Sequence, residues 1–238
     1  LEHGANIIVE SLTKFIGGHG NSIGGMIVDG GNFDWLAHKA RFPTMASPQS
    51  YYNDMVFGEA FAALPLGPDG SNVNIAFAIA ARAFSLRDLG PAMSPMNAFL
   101  IMTGCETLPL RMERHCANAL TVAKHLSAHP KVSWVRYAGL EGDAHFDRAK
   151  KYLPKGAGAV FTFGLKGGHE AGVKLVEGVK LFSHLANIGD TRSLIIHPAS
   201  TTHSQLTDAQ KTAAGAAPDT VRLSVGIEDA ADIIADLD

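Results

Sequence analysis

Two hydroxyls precede a lysine in the segment Ser11-Leu12-Thr13-Lys14-Phe15-Ile16-Gly17-Gly18-His19-Gly20. A lysine amine stripped of water gives up its proton more readily, and a neutral amine attacks a carbonyl to form a Schiff base. Serine and threonine hydroxyls each bring one donor, which suits a phosphate. Glycine lets the backbone approach a flat ring or a phosphate with no Cβ in the way. Amine, phosphate donors and open backbone together describe the chemistry of pyridoxal 5'-phosphate. A second reading stays open: a lysine after a strand is also an ordinary solvated strand end, and Ser11 and Thr13 also suit plain turn hydrogen bonds. Two nucleotide fingerprints are excluded. Gly24 falls one residue too far after Gly18-x-Gly20 for GxGxxG, and no GxxxxGK[ST] is present.

Arg222 lies in the run Thr220-Val221-Arg222-Leu223-Ser224-Val225. Strand alternation sets Val221, Leu223 and Val225 on one face and Arg222 with Ser224 on the other. A guanidinium fork grips a carboxylate bidentately, though a solvated face would read the same way. His19, His197 and His203 join no ligand set at zinc spacing, so no metal is expected. Cys105 and Cys116 form neither a redox pair nor a zinc knuckle. So few thiols point to a reducing, cytoplasmic setting.

These residues need elements to hold them. The chain has 238 residues, 46% hydrophobic and 18% charged, which is enough apolar material for a packed core. Lys+Arg is 20 against 23 Asp+Glu, so no basic excess exists for nucleic acid. No apolar run reaches about 18 residues, and no membrane span is expected. Strands read over Ala5 to Glu10 and Gly25 to Val28, with the glycine loop between them. Asn32 to Gly70 is irregular, with four prolines and the pair Tyr51-Tyr52, which could cover a site or sit on the surface. Helical pieces are expected around Phe33 to Lys39 and Gly58 to Ala63, and fuller helices over Ile75 to Leu89 and Pro95 to Gly104.

The clearest helix is Pro109 to Ala128, where Met112, Cys116, Ala119, Ala123 and Leu126 form one apolar stripe that places Cys116 in the core. From Val132 onward short strands alternate with helices. Strands are expected at Val132 to Tyr137, Ala159 to Leu165, Phe182 to Asn187, Leu194 to Ile196 and Thr220 to Val225. Helices are expected at His169 to Val179, Asp208 to Ala216 and Asp229 to Leu237. The class is α/β, with a boundary near Glu106 to Leu108 that divides the chain into 1–107 and 108–238.

The segments Ser11 to Gly25, Ser94 to Leu100 (SPMNAFL), Glu106 to Ala119 (ETLPLRMERHCANA), Gly189 to Leu206 and Val221 to Asp229 resemble, in order, those of the Cys/Met-metabolism pyridoxal-phosphate enzymes. The resemblance implies fold type I, the aspartate-aminotransferase-like fold. It makes 1–107 the C-terminal part of the cofactor-binding large domain and 108–238 the small α/β domain. Lys14 matches the lysine that holds pyridoxal 5'-phosphate and shuttles protons at the substrate α and β carbons. Ser11 and Thr13 match the residues on the cofactor phosphate. Arg222 and Ser193 match those that meet the substrate α-carboxylate.

The Asn32 to Gly70 insertion followed by SPMNAFL favours the members that exchange the acetate of O-acetyl-L-homoserine for sulfide or a thiol. Rival readings are cystathionine synthesis, O-succinylhomoserine as substrate, methionine elimination, or an inactive fragment. A homotetramer of dimers that share active sites is implied. The resemblance also puts the ring-nitrogen aspartate, the stacking aromatic and the glycine-led phosphate helix before the segment matched by Leu1. The chain alone is therefore expected to lack turnover.

Overall fold

The computed structural model describes residues 1–238. Its contacts divide the chain into two units, Leu1–Ser11 with Gly24–Ala98, and Leu12–Ile23 with Phe99–Asp238. A single cut at 107/108 does not reproduce this division. The lysine segment groups with the C-terminal unit because a side chain of the long helix there holds its carbonyls. No helix is long and apolar enough to cross a membrane.

In the first unit, β1 (Ile7–Ser11) and β2 (Gly25–Asp29) pair antiparallel, from Ile7 opposite Asp29 to Ser11 opposite Gly25. The irregular stretch after them is organised by aromatic rings. Short helices α1 (Pro43–Ala46), α2 (Phe57–Ala60) and α3 (Ala76–Ala80) bury Met45, Phe57, Ala76 and Ala80 together with Trp35. Trp35 stacks on Phe77 at 5.6 Å and Phe57 meets Phe84 at 4.8 Å. Phe33 to Lys39 is not a helix. The Asp34 carboxylate accepts the amides of Leu36 and Ala37, and that local bond makes a turn instead. Beyond α3 the backbone continues as a π-helix over Ala81–Arg87, so the stretch read as one helix changes its winding midway. Tyr51 is 92% exposed, whereas Tyr52 packs edge-on against Phe57 and Phe84 and donates to Asp88 at 2.9 Å.

In the second unit five strands form one sheet, in the order β3-β4-β7-β6-β5. They are β3 (Val132–Arg136), β4 (Val160–Leu165), β5 (Ser183–His184), β6 (Leu194–Ile196) and β7 (Thr220–Ser224). All neighbours are antiparallel except β5 and β6. The helices are α5 (Leu108–Ala128), α6 (Phe146–Tyr152), α7 (Gly168–Gly178), α8 (Asp208–Ala213) and α9 (Ala230–Leu237). The unit division falls within a further helix, α4 (Pro95–Cys105).

The core is built from α5, α7 and α9 on one sheet face. Val122, Ala123, Val176 and Ile233 pack there with Phe163, Val221, Leu223 and Val225. Pro109 sits in the first turn of α5, where its missing N–H has no partner to lose. Most strand readings move by a residue or two at their ends, and one shortens much further. Phe182 to Asn187 keeps only Ser183 and His184 as strand, because the chain then turns away towards Arg222. Helix α6 was not anticipated, since only Ala149 in it is buried and its basic residues face water.

Candidate active site

The residues around Lys14 form a tight backbone coil whose polar groups can be followed one at a time. The Gly17 amide donates to Leu12 O at 2.9 Å and the Gly18 amide to Lys14 O at 2.7 Å. His19 Nδ1 donates to Gly17 O at 2.6 Å, and the Thr191 amide to Gly18 O at 2.8 Å. The carbonyls of Phe15 and Ile16 instead receive Arg111 Nη1 at 2.8 Å and Nη2 at 3.1 Å. Arg111 comes from α5 and is only 5% exposed.

Two more segments meet this coil. Residues 187–193 lead into β6, and β7 runs beside them. Lys14 Nζ donates to the side-chain oxygen of Asn187. Arg222 Nη2 donates to the backbone oxygen of the same Asn187 at 3.3 Å. Val221, Leu223 and Val225 are fully buried while Arg222 and Ser224 lie on the other face, as the alternation requires. Ser224 Oγ accepts the Gly189 amide at 2.9 Å, which fixes the turn just after Asn187.

Lys14 and Arg222 are both half-buried, and neither has a carboxylate within 4.0 Å. Burial pushes the Arg222 guanidinium below its ordinary pKa, yet an arginine stays charged. Two cations thus converge on one neutral residue, Lys14 on its side-chain oxygen and Arg222 on its backbone oxygen. Partly dehydrated cations without a counter-ion favour an anionic ligand.

Ser193 is fully buried. Its amide donates to Glu228 Oε1 at 2.6 Å and its hydroxyl to Glu228 Oε2 at 2.9 Å, while it accepts the Gly226 amide at 2.9 Å. Asn118 Nδ2 donates to the carbonyls of Gly226 at 3.0 Å and Glu228 at 2.8 Å. The turn that follows Arg222 is therefore clamped from α5 and from Ser193. Asp190 is 5% exposed and accepts the Arg192 amide and side chain. Burial raises the Asp190 carboxyl, but the Arg192 hydrogen bonds outweigh it and hold it below its ordinary value.

Of the remaining expected residues, Thr13 is half-buried in the C-terminal unit, and Ser11 is exposed at the end of β1 in the first unit. His197 is structural. Its Nε2–H donates to Pro218 O at 2.8 Å, so Nδ1 accepts from Ser200 Oγ at 2.9 Å. Cys116 is half-buried rather than core, because the buried face of α5 is turned towards Arg111, His115, Asn118 and Val122.

Asn187, Arg111, Asn118 and Glu228 were not singled out from the sequence. Arg111, His115, Asn118 and Val122 step by four, three and four, so the helical period could have shown three polar residues in phase with the core. Asn187 carries no such signal.

The model of the Cys/Met metabolism PLP-dependent enzymes matches residues 1–238. The O-acetyl-L-homoserine sulfhydrylase of Leptospira meyeri is 53% identical over 240 residues, covering 100% of this chain and 53% of that protein. The homocysteine synthase of Schizosaccharomyces pombe is 50% identical over 236 residues, covering 99% and 52%. The chain spans about half the length of the curated relatives it matches. Among solved structures, a Campylobacter jejuni protein described as an O-acetylhomoserine (thiol)-lyase, with N'-pyridoxyl-lysine-5'-monophosphate in its chain, superposes with a TM-score of 0.87 at 36% identity. That match covers 99% of this chain and 53% of the other.

The α/β architecture is that of fold type I. The residues present fit the cofactor of such enzymes: an amine without an acid partner, a threonine hydroxyl one residue before it, and a second unpaired cation close by. With the match running from the first residue to the last and relatives half identical along its whole length, the chain belongs to the Cys/Met-metabolism pyridoxal-phosphate-dependent enzymes.

Proposed function

We propose that the whole protein replaces the acetate of O-acetyl-L-homoserine by sulfide or a thiol, releasing L-homocysteine or its homologue and acetate. The observation that carries this reading is the convergence of the Lys14 amine and the Arg222 guanidinium on Asn187, with no acid to neutralise either. The names of the relatives, sulfhydrylase and homocysteine synthase, support the choice of substrate. Bound pyridoxal phosphate supplies an electron sink for charge that develops on the substrate.

The chain's own residues do the rest. Lys14 Nζ holds the cofactor, then removes the α-proton and later returns it. Lys14 moves a β-proton in the same way, acetate departs from the γ carbon, and the sulfur nucleophile adds there before the protons are restored. Arg222 grips the α-carboxylate with its fork. Ser193 belongs to the same carboxylate site in this reading. Its amide and hydroxyl are held by Glu228, so it meets the carboxylate only on exchanging that partner. Ser11 and Thr13 hold the phosphate. Residues 1–107 complete the cofactor-binding domain and 108–238 form the small domain. The working assembly is a homotetramer of dimers that share active sites, in the cytoplasm.

The test uses the full-length protein. Lys14→Ala should remove both the visible absorbance of the bound cofactor and the replacement activity; an unchanged band in that variant ends the assignment. Acetate release should depend on sulfide. Equal release without sulfide would mean elimination, and release of succinate from O-succinylhomoserine at a higher rate would change the substrate.

A further inference from the structure

We propose that Arg111 is a positioning residue that aims the Lys14 amine; the inference rests on the reading of Lys14 above. A nearly buried cation ordinarily needs an acid, yet Arg111 has none within 4.0 Å. Its donors go to the carbonyls of Phe15, Ile16 and Gly104 and to the Thr107 hydroxyl, at 2.8 to 3.1 Å. Phe15 and Ile16 are the two residues after Lys14, and Gly104 lies at the C-terminal end of α4. One planar fork therefore ties the lysine coil to the α4–α5 corner, a geometry that a lysine's single ammonium does not reproduce.

The coil is shaped to this guanidinium. Gly18 has φ +74°, and a Cβ there would come within 2.5 Å of Arg111 Cζ. The Phe15 ring meets His115 edge-on at 5.3 Å, and His115 Nδ1 donates to Val225 O at 2.7 Å. Arg111 thus holds the backbone of the residue after Lys14, and His115 steadies its side chain. Arg111 supplies the donors to the Phe15 and Ile16 carbonyls, so its loss frees the backbone beside the amine.

The test compares full-length, cofactor-loaded Arg111→Lys, Arg111→Ala and Thr107→Val with Val176→Ala, a core change in α7. Arg111→Lys should lower kcat about 100-fold with KM for the amino acid within roughly threefold, the scale of a 1 Å misplacement. The rate at which apoprotein takes up pyridoxal phosphate, read as growth of the visible band, should fall with it. Free guanidinium should restore Arg111→Ala, and ammonium should not. Thr107→Val, which loosens the fork without removing it, should show the same signs weakly.

Wild-type kcat and uptake in Arg111→Lys would overturn the proposal. So would an equal kcat loss in Val176→Ala at matched Tm, because lost stability would then explain both. Should the Arg111 variants fail to fold, wild-type kcat and uptake in Thr107→Val overturn it. A visible band retained in Lys14→Ala would instead sink the reading of Lys14, whatever Arg111 does.

Discussion

Acid should destabilise this protein through two buried histidines, and the size of the effect follows from their surroundings. His115 is fully buried, donates from Nδ1 to Val225 O at 2.7 Å, and leaves Nε2 as a lone pair with no partner. Burial pushes its pKa down; the Val225 bond opposes this, and the Arg111 charge adds to it. His197 is fully buried too, and burial lowers its pKa against the opposing Pro218 bond. In the unfolded chain both titrate near ~6.5. Below that pH the unfolded state binds protons that the folded state refuses, so stability falls as pH falls.

Each group contributes at most about 1.4 kcal/mol per pH unit, and the pair about 2.7 kcal/mol per unit. Asp190 acts elsewhere. Its folded pKa is depressed, so its contribution is present above its ordinary value near ~3.9 and is lost only below it. The limb between roughly pH 6.5 and 5 is therefore a histidine limb. The assay is guanidinium chloride unfolding of the cofactor-free, full-length protein at several pH values from neutral to about 5.5. His115→Asn keeps a donor for Val225 O and removes one titration. It should lower stability at neutral pH and roughly halve the acid slope. A slope unchanged in His115→Asn, or none in the parent protein, would refute the reasoning.

Other consequences are as direct. Arg222→Lys exchanges a fork for a point charge, which at about 2 kcal/mol should raise KM for the amino acid roughly 30-fold in steady-state kinetics. Gly104→Ala would bring a Cβ to 2.9 Å from the Gly17 carbonyl carbon and closer still to its oxygen. Overpacking of that kind costs about 1–3 kcal/mol, so calorimetry should show Tm lower by roughly 3–10 °C, with kcat reduced as the lysine coil shifts. Ser193→Ala removes a hydroxyl that both donates to Glu228 and accepts from Gly226. A buried amide left unpaired costs about 1–3 kcal/mol, so its unfolding midpoint should drop before any substrate is added.

Much of the fold was legible because its signals are local. Alternation set Val221, Leu223 and Val225 apart from Arg222 and Ser224, and the structure keeps that split. Pro109 and the apolar repeat marked α5 to within a residue of its start. The aromatic cluster of the first unit was not legible, since rings from Trp35 to Phe84 meet without any period. Nor was the π-helix after α3, whose sequence reads as an ordinary helix.

The same limit separates the two halves of the candidate site. Residue type and neighbourhood made Lys14 and its hydroxyl and glycine neighbours candidates, because an amine beside hydroxyls and open backbone is a pattern that a short segment can display, and the family resemblance chose between that reading and a solvated strand end. They did not show that Asn187 would stand between Lys14 and Arg222, 173 residues from the lysine in sequence, or that Arg111 would reach carbonyls 96 and 95 residues away. Periodicity states which face of a helix or strand is buried. Which buried donor meets which acceptor depends on tenths of an ångström, and only the packed sheet and helices supply that precision.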